Sequence, residues 1–260
     1  MDHRDATLGA DRFDLEATTL DNAGGRIIAS GEGASRVKAT ALGNAGGTLA
    51  SNGDLTLLAR TLDNSAGRIQ HAGSGQLLVS AQALLGTGGS VLSNGSFVLD
   101  GASLDLSGAT TSARRVAISA DTLTTAGGTL TATGDNALRL RVQGMQANRG
   151  GSLASNGALD VIAQQLNNAQ GTLQGAGTGH STLAIGQALD NQKGRILLGG
   201  AGTVTAASLG NQGGTVHAGG SALVLGVDGR LDNGEQGLLS STGMVTLDAG
   251  SLDNRHGTLV

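Results

Sequence analysis

Apolar residues recur along the chain on two scales. Over short stretches they alternate: "DLTLLA" from Asp54, "SFVLD" from Ser96, "NALRLRV" from Asn136, "ALDVIA" from Ala158 and "STLAIG" from Ser181 set them two apart. That is the period of a strand with one buried face, not of a helix. Over longer distances an anchor returns at Leu20, Leu42, Leu62, Leu84, Leu104, Leu123, Gln146, Leu166, Leu189, Leu209, Leu231 and Leu252, in steps of 19 to 23 residues. Seven residues after most anchors lies a second aliphatic: Ile27, Leu49, Ile69, Val91, Leu130, Leu153, Leu173, Ile196, Val216 and Leu259. Thr111 is the polar exception, and Leu239 falls one place late. Each repeat predicts two or three short strands joined by Gly, Asn and Ser turns, with no helix.

A unit of this length made of short strands cannot close a core alone. Stacked copies can, because each strand pairs with its counterpart in the next copy. The chain is therefore expected to be all-β: a parallel β-helix, or β-solenoid, of about twelve coils with 19 to 23 residues each. It reads as a single repeat domain over residues 1–260, with 1–19 a partial first coil and 252–260 a partial last one. Leu8, Phe13 and Leu15 resemble the later part of a coil, so both ends fall inside the pattern. The expectation is an internal segment whose neighbours are further coils of a longer parent chain. Steps of 22 or 23 tend to alternate with steps of 20, and the extra residues fall in the turn before the second strand, as in "ASGEGAS" against "ASNGD". Small bulges are expected there on alternate coils.

The corner after each anchor is the most repetitive element. "LDNAGGRI" from Leu20 returns as "LGNAGGTL", "LDNSAGRI", "LDNQKGRI", "LGNQGGTV" and "LDNRHGTL". Two residues after the anchor stands Asn in nine of twelve repeats: Asn22, Asn44, Asn64, Asn148, Asn168, Asn191, Asn211, Asn233 and Asn254. Stacked asparagines can bond amide to amide as a ladder, and Asn tolerates the left-handed conformation of turns. The following Gly25, Gly47, Gly67, Gly171 and Gly194 would let the chain bend where a Cβ clashes.

Composition sharpens this picture. Gly accounts for 46 of 260 residues, Pro, Cys, Trp and Tyr are absent, and Phe13 and Phe97 are the only aromatics. With 38% hydrophobic and only 14% charged residues, the chain is no self-repelling coil and must bury aliphatics in a regular way. Its 16 basic and 20 acidic residues form no basic stripe, which argues against nucleic acid as a partner. No run approaches the ~20 apolar residues of a membrane-spanning helix.

Parallel β-helices also house carbohydrate-active enzymes, whose chemistry needs carboxylates converging on a groove. Asp21, Asp63, Asp190, Asp232 and Asp253 recur beside the corner Asn, as turn residues do and as a catalytic pair does not. His3, His71, His180, His217 and His256 sit at different phases of the repeat, which predicts scattered surface histidines rather than converging metal ligands. "GAGTG" from Gly175 has no following helix to hold a phosphate. No catalytic residue, metal site or cofactor is expected. The coil between Leu104 and Leu123 lacks the corner Asn and carries Arg114 and Arg115 together, which makes those two arginines the candidate recognition face.

The combination of "LDNxxGxI", "SNGDLTL" and a spacing near twenty resembles the haemagglutinin repeats of the filamentous haemagglutinin family, carried for example by Leu62, Asn64, Gly67 and Ile69. The resemblance runs from Leu8 to Val260. It implies a right-handed β-helix exported by an outer-membrane two-partner secretion transporter to the Gram-negative cell surface. There it would serve as the shaft of an adhesin or of a contact-dependent growth inhibition exoprotein, or as a stretch that binds a receptor on a target bacterium or host cell. The family's secretion domain carries an Asn-Pro motif, and this chain has no Pro.

Overall fold

A computed structural model describes all residues from Met1 to Val260. Every regular element is a β-strand, and all of the strand pairings described below are parallel. The chain divides into two compact units, Met1–Thr124 and Thr125–Val260.

In the first unit, short strands such as Arg26–Ala29, Thr48–Ser51 and Arg68–His71 stack directly on one another. Their centres form one inward column, Ile27↔Leu49↔Ile69↔Val91↔Thr111. The longer strands Asp14–Asp21, Ser35–Gly43, Leu55–Asp63 and Gln76–Leu85 align the anchors, Leu20↔Leu42↔Leu62↔Leu84↔Leu104↔Leu123. Leu57↔Val79↔Leu99↔Ile118 form a third column. All of these positions are buried, Thr111 among them. In-register pairing follows from the pleat: a slip of one residue would turn every anchor out to solvent.

Each long strand bends once. Pairing runs Ala39↔Ala59 and resumes at Ala41↔Thr61, which leaves Thr40 and Arg60 outside the ladder and exposed. The bend divides the strand into two straight runs, so a coil has three faces. Phe97 lies inward against Leu77 and Val116, and Phe13 donates its backbone N–H to the Ser35 hydroxyl.

The second unit repeats the plan. Leu130↔Leu153↔Leu173↔Ile196↔Val216↔Leu239↔Leu259 form one column, and Gln146↔Leu166↔Leu189↔Leu209↔Leu231↔Leu252 another. Leu239 keeps its column despite arriving one residue late because the corner before it is looser: Glu235 and Gln236 both take positive φ, where other corners have one such residue. The turns before the second strand alternate over part of the chain, with three-residue bends at 31–33, 73–75 and 177–179 against two-residue bends at 52–53 and 156–157. Those at 199–200, 220–221 and 242–243 are all two-residue bends, and the 22-residue step from Leu209 to Leu231 takes its extra residue at the bend between Val227 and Arg230 instead.

Candidate functional site

The corner after each anchor concentrates the buried polar chemistry. In the first unit Asn22 donates its amide to the Oδ1 of Asn44, and Asn44 donates to Asn64, both at 2.7 Å. In the second unit Asn148 donates to Asn168 at 2.8 Å; Asn168, Asn191, Asn211 and Asn233 each donate to the next asparagine at 2.7 Å, ending on Asn254. Each amide also reaches backbone carbonyls: Asn44 donates to Arg68 O at 3.2 Å as well as to Gly47 O in its own corner at 3.3 Å. A single side chain thus ties its own turn to the coil that follows. Polar groups so deeply buried persist because they are paired.

The asparagines are not the left-handed residues. Positive φ falls two places further on, at Gly24, Gly46, Gly88, Gly108, Gly127, Gly150 and Gly213, and at Ala66, Gln170, Lys193 and His256 in other coils. One residue later comes a glycine needed for close approach. A Cβ on Gly47 would overlap the Asn22 carbonyl oxygen and lie 2.8 Å from Asn44 Oδ1. The two glycines of the motif therefore answer different demands.

The first ladder stops at Asn64, because the next coil has Gly86 at that place. A Cβ there would sit 3.1 Å from a methyl of Leu106, which fills the room in the coil after. In the second unit two departures from the repeat meet, although Gln146 Oε1 stays buried without a partner. Gln146 replaces an anchor leucine and donates its amide to the Thr125 hydroxyl at 3.1 Å. That hydroxyl also lies 2.9 Å from Asn148 Oδ1. The sequence shows each exception separately, and only stacking brings them together.

The recurring carboxylates cap turns. Asp21, Asp63, Asp190 and Asp232 each accept the backbone N–H two residues on, at 2.9 to 3.1 Å. Their outer oxygens are available to arginines: Arg230 bonds Asp232 at 2.7 Å, and Arg255 bonds Asp253 at 2.6 Å, holding the Asp253 carboxyl down to about 2. Lys38 holds Glu16 below the ordinary carboxylate range through a 2.6 Å contact. In every pair the cation is exposed to solvent, so these pairs contribute little to stability.

Histidine was expected at the surface, and His71 corrects that reading. It is 1% exposed, in the inward column between Ser51 and Ser93, and its Nδ1 is 2.8 Å from the Ser93 hydroxyl. Small neighbours leave room for the ring, and a Cβ on Gly73 would come within 2.9 Å of Nε2. Burial pushes the imidazole below its ordinary pKa, with Asp54 pulling the other way. The signal was a histidine two places beyond an inward isoleucine. No three His, Asp or Glu side chains converge as metal ligands.

Arg114 and Arg115 are exposed at the tightest corner of the first unit. The ladder jumps from Ala113↔Ser93 to Arg115↔Ser96, so this coil omits a residue that its neighbour uses to turn. That omission accounts for the 19-residue step from Leu104 to Leu123.

Comparison with curated proteins and with solved structures returned no match. The haemagglutinin repeat family matches residues 2–34, 31–85, 72–135, 135–193, 178–233 and 222–260. With these overlapping matches spanning the chain from residue 2 to 260, and with one Asn-ladder corner recurring coil after coil, the chain belongs to the haemagglutinin repeat family.

Proposed function

We propose that this chain is a structural segment, a stretch of β-helical shaft, in a secreted filamentous adhesin or contact-dependent growth inhibition exoprotein displayed on the bacterial surface. The observation that carries this reading is the recurrence of one corner with one hydrogen-bond pattern through successive haemagglutinin repeats. A shaft needs identical joints, and solenoid stability accumulates from nearest-neighbour interfaces of this kind. Export would use an outer-membrane two-partner secretion transporter, and the shaft's contacts would be further coils of the parent chain. No helix is long and apolar enough to cross a membrane.

A second reading, a receptor-binding stretch of the same filament, is favoured by the exposed pair Arg114 and Arg115 at the shortened corner. Labelled, folded protein titrated onto candidate target bacteria and host cells separates the two. The shaft reading expects no saturable binding. Saturable binding that unlabelled protein competes, and that Arg114→Ala with Arg115→Ala abolishes, supports the receptor-binding reading instead.

A further inference from the structure

The Met1–Thr124 unit carries an open groove of about 760 Å³ across five successive coils of its anchor strands. Thr19, Ala41, Thr61, Ala83 and Ser103 each precede an inward anchor and so face outward into it. On the other side of the anchors runs a second outward row in register: Asp21, Gly43, Asp63, Leu85 and Asp105. The floor is small and largely apolar, Leu85 is 46% exposed within it, and a carboxylate stands on every second coil.

One oxygen of each carboxylate serves its own turn; for Asp105 the donor is the Ser107 N–H at 2.8 Å. The other oxygen faces out. Arg4 comes within 3.5 Å of Asp21 Oδ2, and the Thr87 hydroxyl within 3.4 Å of Asp105 Oδ2, but no cation of the chain pairs with Asp63 or Asp105. The second unit treats the same row differently. There Asp232 and Asp253 are neutralised by Arg230, at 2.7 and 3.3 Å, and by Arg255. Asp190 of that row has no cation, and in the first unit only Asp21 has one, so Asp63 and Asp105 stay open.

Parallel strands stack about 4.8 Å apart, so carboxylates on alternate coils stand about 9.6 Å apart. A polyproline II chain turns once every three residues and rises about 9.3 Å in doing so. We propose that this groove docks an extended polypeptide segment in polyproline II conformation with Lys or Arg at every third position. Its cations lie over Asp21, Asp63 and Asp105, and its intervening residues pack on Ala41, Ala83 and Leu85. A β-strand fits poorly: its one-sided repeat of about 6.8 Å falls out of step, and the groove is a sheet face without a free edge to extend. A second copy of this face would set one row of carboxylates against another. The inference is independent of the shaft reading, since it concerns one face of one unit.

The test is a fluorescence titration of the full chain with a labelled peptide of Lys-Pro-Pro repeats, at low and at high salt. The expected result is saturable binding that salt weakens and that beats a peptide of equal composition with its lysines clustered. Asp63→Asn with Asp105→Asn should weaken binding about tenfold, with an unchanged unfolding temperature, while Asp232→Asn leaves binding intact. The Asn replacements are compatible with the fold because Asn167, in this register position, already makes the same turn by accepting the Ala169 N–H at 3.0 Å. Absence of saturable binding, equal binding of the clustered peptide, or indifference to the double substitution would each overturn the proposal. A dimer that Leu85→Ser dissolves would also overturn it, by giving the groove to a second copy.

Discussion

Asn44 shows what one residue contributes. It is wholly buried, accepts from Asn22, and donates to Asn64 and to the Arg68 carbonyl. Asn44→Ala should lower stability by about 2–4 kcal/mol in urea unfolding, because it strands Asn64 Oδ1 without its donor and leaves a gap. The motif's glycines were legible as a pair, but their separate duties were not, since a one-letter pattern records neither φ nor the position of the coil below. Ala66 holds the left-handed conformation with φ of 51°. Ala66→Gly should therefore raise stability by about 1 kcal/mol, whereas Gly47→Ala, whose methyl has no space, should cost at least about 2 kcal/mol. Both follow from denaturation midpoints. His71 gives a pH signature. Its folded pKa is depressed, so the unfolded chain takes up the proton first and stability falls as pH drops below the unfolded value. Unfolding temperature should decline between about pH 7 and about pH 5, and His71→Ser should flatten that decline. An equal slope in the variant would place the titration elsewhere.

At the scale of the element, the strands were legible because each one buries a single face, and alternation writes that face into the sequence. The anchors and the column seven residues later emerge from pattern alone, and the structure sets them in register. The bend at Thr40 and Arg60 was not legible, because exposed residues at a bend are free to vary. The pairing of Gln146 with Thr125 was hidden for a different reason: the two lie about one coil apart, and neither resembles the repeat. The coil from Leu104 to Leu123 offers a sharp contrast between positions. Thr111 stands in a column of Ile, Leu and Val with its hydroxyl buried and unpartnered. Thr111→Val should add about 1 kcal/mol of stability by removing that hydroxyl without changing shape. Arg115→Ala, at an exposed site, should leave the unfolding temperature within error. A large loss there would mean that the shortened corner depends on the arginine.

At the scale of the whole molecule, the repeat explains an unusual composition. Aromatic residues are largely dispensable when most inward positions meet an aliphatic in the next coil, so Leu, Ile, Val and Ala fill most of the interior of both units, with Phe13 and Phe97 the only aromatics among them. Glycine is abundant because each coil needs corners. Family membership was readable from the recurring octet, whereas the open carboxylate row of the first unit was not, because its meaning lies in which arginines stack beside which aspartates. All of these conclusions rest on neighbouring coils lying in parallel register. The chain has no cysteine, so an introduced pair reports register without interference. Thr61 and Ala83 are register partners on the outer face, at about the 4.8 Å strand spacing that a disulfide accommodates. Non-reducing electrophoresis of Thr61→Cys with Ala83→Cys should show rapid, complete intramolecular crosslinking, and Thr61→Cys with Leu85→Cys, two residues out of step, should stay reduced. Crosslinking of the second pair in preference to the first would contradict the in-register solenoid.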